Sequence, residues 1–140
     1  MATHIRTEIV IQAPAAAVWA VLTDFPSHSG WDPFLTAIEG EPSVGRRLAV
    51  RFKNGMTIRP TLTQVDESRV LEWFGRLLFG GLFDGRHRFE LIPEGNATRL
   101  VHSETFSGLL VPLLKKLLAD TERNFAELNA ALKRRVEAPA

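Results

Sequence analysis

The sequence predicts an α+β domain: a curved antiparallel sheet of about seven strands wrapped around a long C-terminal helix, with two short helices after the first strand. Three observations predict it. From Phe34 to Phe106, segments rich in β-branched and aromatic residues alternate with closely spaced turn signals, which favours antiparallel meander pairing. Leu110, Leu114, Leu117, Thr121, Phe125, Leu128 and Leu132 recur at steps of three and four, the helical period. A chain of 140 residues, 45% hydrophobic and 24% charged, is long enough for one core and one domain over residues 1–140.

Taken in order, Ile5–Ile11 is rich in Ile, Val and Thr and reads as a strand. Pro14 opens a short helix, Ala15–Leu22, because proline is tolerated in a first turn. Asp24-Phe25-Pro26 stops it, and a second short helix or turn covers Pro26–Gly30. Six strand segments follow: Phe34–Glu41, Arg46–Lys53, Met56–Asp66, Arg69–Leu77, Phe83–Pro93 and Ala97–Phe106. Breakers at Pro42 and Gly45, Asn54-Gly55, Glu67-Ser68, Gly80-Gly81 and Glu94-Gly95 separate them. The final helix runs from about Val111 to Arg135, with Pro112 in its first turn or at a kink. The tail, Val136–Ala140, is expected to fray.

Turns fix register, and register fixes which side chains share a face. A loop centred on Glu94-Gly95 places His87 opposite His102, Phe89 opposite Leu100, Phe83 opposite Phe106 and Glu104 opposite Gly85, all on the apolar face. A two-residue Glu67-Ser68 loop sets Leu62 opposite Trp73, Pro60 opposite Gly75 and Ile58 opposite Leu77. At Asn54-Gly55 two readings compete. A two-residue turn turns Arg59 inward with Phe52. A three-residue loop, Lys53–Gly55, sets Val50 opposite Ile58 and is preferred because it keeps the apolar pattern.

Composition removes several chemistries. With no cysteine there are no disulfides, thiolate metal sites or thiol nucleophiles, and with no tyrosine there is no phenol to serve as acid, base or oxyanion donor. A net charge of +1 is spread along the chain, so no basic arm suggests nucleic acid and no patch suggests a membrane partner. The longest nearly uncharged stretch, around Gly108–Leu114, is too short to span a bilayer, and no signal-peptide pattern opens the chain. The expected location is cytoplasmic, as a monomer or homodimer without integral membrane association. Metal and cofactor are expected to be absent: His4 and His28 lie in unrelated segments, and Gly80-Gly81 joins two strands rather than preceding a helix.

The anomaly is two histidines and a glutamate on the inner face. Buried unpaired, each costs about 1–3 kcal/mol, so His87, His102 and Glu104 either satisfy one another or meet water or ligand. Together with glycines 75, 80, 81 and 85, they predict a cavity between helix and sheet. As catalytic candidates, His87 and His102 are a possible acid/base pair oriented by Glu104; the competing reading is a satisfied structural pair.

Specific stretches carry a family resemblance over about residues 4–135. They are Ile9-Val10-Ile11-Gln12-Ala13-Pro14, Val18-Trp19, Leu22-Thr23-Asp24-Phe25, Trp31-Asp32-Pro33-Phe34, Leu71-Glu72-Trp73, His87-Arg88-Phe89-Glu90-Leu91 and Phe106-Ser107-Gly108. The chain resembles the Bet v 1/START-like (SRPBCC, helix-grip) superfamily, specifically the polyketide cyclase/dehydrase-like group of small bacterial proteins. The resemblance implies a deep apolar pocket under the C-terminal helix, its mouth shaped by Trp31, Phe34 and the Leu78–Phe83 loop. Candidate ligand contacts on the sheet side are Phe52, Trp73, His87, Phe89, His102, Glu104 and Phe106. On the helix side they are Leu110, Leu114 and Leu117. The leading expectation is binding or transport of a hydrophobic small molecule, lipid- or polyketide-like, rather than catalysis. The alternatives are a cyclase or dehydratase using His87 and His102, and a protein-interaction module of co-chaperone or toxin type.

Overall fold

The computed structural model describes residues 2–76 and 81–139. Strand β1 (Ala2–Ile11) leads through an extended Pro14 into helix α1 (Ala15–Thr23) and a 3₁₀ turn at Phe25–Gly30. Strands β2 (Leu35–Glu39), β3 (Ala49–Phe52), β4 (Thr57–Ile58), β5 (Thr61–Asp66), β6 (Val70–Arg76), β7 (Asp84–Glu94) and β8 (Ala97–Ser107) follow. A 3₁₀ turn at Val111–Leu113 precedes helix α2 (Lys115–Glu137).

The strands form a five-stranded antiparallel sheet, β1-β8-β7-β6-β5, and a three-stranded one, β2-β3-β4. A bridge between Arg47 and Thr61 joins them, flanked by bonds from Leu48 N to Pro60 O (2.8 Å) and Leu62 N to Arg46 O (2.9 Å). The predicted strand Met56–Asp66 is therefore divided at Arg59-Pro60, where proline has no N–H to give the ladder. Helix α2 packs along β1 and touches β8 and α1. It covers the β1–β8 side of the concave face.

Each hairpin tests the predicted registers. The β3–β4 turn uses the three-residue loop, with Gly55 left-handed (φ 94°) and Val50 paired to Ile58, and Arg59 is exposed. At β5–β6 the loop has three residues, 67–69, with Ser68 left-handed (φ 62°); a bulge between Leu62 and Gln64 then restores Leu62 opposite Trp73. The partner set for Ile58, Leu77, and the first part of the predicted loop, residues 78–80, lie outside the described residues. The β7–β8 register differs from the prediction by two. The loop is Gly95-Asn96, with Gly95 at φ 64° in the first loop position, as a type II′ turn requires. His87 therefore pairs with Glu104, Phe89 with His102 and Gly85 with Phe106. A shift of two keeps every side chain on its predicted face and changes only its neighbours.

Helix α2 begins later than predicted and turns a different leucine inward. Pro112 sits in the separate 3₁₀ turn, so the α-helix starts at Lys115. At about 100° per residue, Leu118 lies only about 20° from the direction of Phe125, and Leu117 about 80° away. Leu118 is accordingly buried and Leu117 is 47% exposed. The helix also continues through Val136, where fraying was expected. Val136 packs on the core, and the Glu137 carboxylate accepts from Gln12 N at 2.6 Å. The junction between β8 and the 3₁₀ turn depends on Gly108. Its φ is +121°, and a Cβ there would overlap the Leu82 carbonyl.

Two apolar clusters fill the interior. The larger gathers α1, the β2–β6 side chains, Phe89, Leu91, Leu100 and Leu132. The smaller holds Ile5, Phe83, Phe106, Val111, Leu118 and Phe125.

Candidate functional site

Where the two clusters meet, a chain of polar side chains crosses the interior. Its members come from β1, β7, β8 and α2. His87 Nδ1 lies 3.0 Å from Glu104 Oε1, and His87 Nε2 lies 2.7 Å from His102 Nε2. His102 Nδ1 lies 2.8 Å from Asn129 Oδ1. Asn129 Nδ2 donates to Thr7 Oγ1 (2.8 Å), which donates to the His102 carbonyl (3.0 Å). The histidines meet as diagonal neighbours rather than as the directly opposed pair the sequence predicted.

The chain's far end fixes its protons. A backbone carbonyl only accepts, so the Thr7 hydroxyl points at it and must accept from the Asn129 amide. The Asn129 oxygen then accepts from His102 Nδ1–H. Burial, and next the charge of His87, push the His102 imidazole well below the ordinary 6.5, against a smaller upward pull from Asn129. His102 is therefore neutral, and its Nε2 is a lone pair that accepts from His87 Nε2–H. One proton remains, shared between His87 Nδ1 and Glu104. Every donor in this row has one acceptor, and the row runs in a single direction.

Aromatic rings enclose it. His102 is 0% exposed, stacked on Phe125 of α2 (3.9 Å between centroids, 10°) and on Phe89 (4.3 Å, 21°). Trp73 stacks on His87 at 4.9 Å and 22°. His87 and Glu104 keep 13% and 10% of their side chains accessible, and Thr7 at the far end is half-buried, while His102 and Asn129 between them are sealed. The cavity predicted beneath the helix is occupied at this point by the Phe125 ring and Asn129. Surface hollows of about 340 and 220 Å³ lie elsewhere and are not lined by the imidazoles. The direct Nε2–Nε2 contact also leaves no gap for an ion between the rings. Among the described residues no group of three or more His, Cys, Asp or Glu is arranged for a metal. Among them, too, no helix is long and apolar enough to cross a membrane.

The other sequence candidates scatter. Phe106 and Leu114 belong to the smaller cluster, and Leu110 is half-buried, its N–H on Leu82 O. Leu117 points away from the interior. Trp31, Phe34 and Phe52 sit at the other end, around the 3₁₀ turn and the small sheet. There His28 Nε2 donates to Leu22 O (2.6 Å), and Asp32 Oδ1 accepts from Phe34 N and Leu35 N. His28 Nδ1 and Trp31 Nε1 are buried without a hydrogen-bond partner among the described residues, His28 Nδ1 lying 3.5 Å from Asp32 Oδ2. This cluster clamps the turn to β2.

Sequence reasoning missed Asn129 and Thr7. The signal for Asn129 was present: it stands four residues after Phe125 and three before Leu132, a polar residue on the buried stripe.

A family model described as polyketide cyclase / dehydrase and lipid transport matches residues 2–137. No curated protein sequence matches the chain. Among solved structures, protein MLL2253 from Mesorhizobium loti superposes with a TM-score of 0.82 at 18% identity, covering 99% of both chains. Truncated norcoclaurine synthase from Thalictrum flavum gives 0.78 at 16% identity, covering 100% of this chain and 96% of the other. A START superfamily protein from Mycobacterium smegmatis gives 0.71 at 22% identity, covering 96% and 97%. At these identities the likeness is one of fold, the helix-grip arrangement of sheet and terminal helix.

Proposed function

The chain belongs to the polyketide cyclase/dehydrase and lipid transport family, and from that premise we propose that it binds a hydrophobic small molecule between α2 and the sheet, anchored at His87 and Glu104. The observation that carries this reading is the polar row itself, sunk between two apolar clusters with His87 and Glu104 still partly accessible. An apolar guest gains about 25 cal/mol for each Å² it removes from water. A single polar group on that guest needs a partner in the same place, and the shared proton supplies either a donor or an acceptor there. Phe125 is the side chain that must rotate aside, since it stacks on His102 and lies edge-on to His87.

Trp73 makes the test direct, because its indole stacks on His87. Titration with a long-chain fatty acid, read by tryptophan fluorescence, is expected to saturate. His87→Ala is expected to weaken binding about tenfold, the worth of one charge-assisted hydrogen bond. A linear, unsaturable response across fatty acids and aromatic polyketide-like probes contradicts the reading.

A second reading, an acid/base cyclase or dehydratase, is favoured by the single shared proton. His87 would move that proton at its Nδ1, with His102 holding the ring in place through Nε2. It requires turnover of a polyketide-like substrate with a pH dependence that disappears in His87→Ala.

A further inference from the structure

A second site lies away from the imidazoles, beside β2 and β3. A hollow of about 340 Å³ is ringed by Arg46, Arg47 and Arg59, with Gly40, Leu48 and Ala49 completing its wall. All three arginines are exposed, and none makes an ion pair with a carboxylate among the described residues. The one acid at the rim, Glu39, is already held by Arg51 Nε at 2.5 Å. Arg47 is fixed from behind, its Nε donating to Arg59 O at 3.3 Å, which leaves its terminal N–H groups free to point elsewhere. The whole chain carries a net charge of only +1, so three uncompensated guanidiniums around one hollow are a local concentration of charge.

We propose that this hollow binds a phosphate group, either free or on a lipid headgroup. Like charges held together repel, and an anion between them relieves that repulsion. Guanidinium forks match phosphate oxygens two at a time. A carboxylate has only two oxygens to set against three such forks, whereas a terminal phosphate has three and up to two negative charges. The lining residues include no aromatic ring on which a base could stack, so the site reads the phosphate and not a nucleobase. The inference rests on this lining alone and is independent of the ligand reading at His87.

The test is calorimetric titration with inorganic phosphate and pyrophosphate, alongside sedimentation with phosphatidylcholine vesicles with and without phosphatidic acid. Binding in the first arm identifies a free phosphate, and binding only to the phosphatidic acid vesicles identifies a headgroup; either supports the site. Arg46→Gln/Arg59→Gln is expected to weaken binding at least tenfold with an unchanged circular dichroism spectrum. Arg123→Gln, on α2, is expected to leave it unaltered. Absence of binding in both arms, or undiminished binding by the double variant, overturns the proposal.

Discussion

The large sheet carries a polar network on each face, and β7 contributes to both through alternating residues. On the outer face Glu72 receives Arg86 and Arg88, each at 3.0 Å, and Thr63 at 2.9 Å. On the inner face, one residue along, lies the row from Glu104 to Asn129. The outer arginines are 48% and 34% exposed, so water stands ready to replace any bond they lose. Burial alone would push the Glu72 carboxyl up, yet the bonds from Arg88, Thr63 and Arg86 outweigh it and hold it below the ordinary 4.5. On the inner face no replacement is at hand. Similar residue types, adjacent in the chain, thus differ in consequence by the solvent behind them.

Substitutions sharpen that contrast. Asn129→Leu, close in volume, strips His102 Nδ1–H of its acceptor and Thr7 of its donor. A loss of about 1–3 kcal/mol in urea unfolding is expected, from the buried His102 N–H left unpaired. The pH response comes next. Below about 6.5 the unfolded chain takes a proton on His102 that the folded chain refuses. Stability is thus complete above that value and falls as pH drops, by up to about 1.4 kcal/mol per unit. Glu8, Glu72 and Glu137 are lowered from 4.5 and act only further down, so the window between about 6.5 and 5 lies above theirs and reads His102. His102→Phe, whose ring fits between Phe89 and Phe125, is expected to be less stable at pH 8 but to show a shallower slope in that window. Glu72→Gln is the smallest change: a loss of under about 1 kcal/mol is expected, shrinking in high salt. A larger loss there than at Asn129 would invert the comparison.

The two faces also show what the sequence made legible. Alternation along β7 and β8 assigned His87, Phe89, His102 and Glu104 to the interior, because a strand's period is exact and a two-residue register shift preserves it. The pairing itself was not legible. Gly95 fits either of two loop positions, and only the turn's backbone geometry decides between them. The helix stripe was readable to within one residue; its phase depended on where the 3₁₀ turn at Pro112 ends. The hollow was inferred from polar groups that turned out to bond one another, with Asn129 supplied by a helix whose rotation the pattern left unset. Arg46, Arg47 and Arg59 are separated in sequence and share a hollow only because the chain at 45–48 pairs with 60–62.

A neutral, directional His102 and a partly accessible His87 are both open to direct measurement. Long-range ¹⁵N spectra of the imidazoles, recorded at pH 5.5 with and without a bound fatty acid, read both at once. The expected result is His102 as the uncharged Nδ1–H tautomer in either sample, with the His87 nitrogens displaced only when the fatty acid is present. A charged or Nε2–H form of His102, or a His87 signal indifferent to the fatty acid, would contradict it.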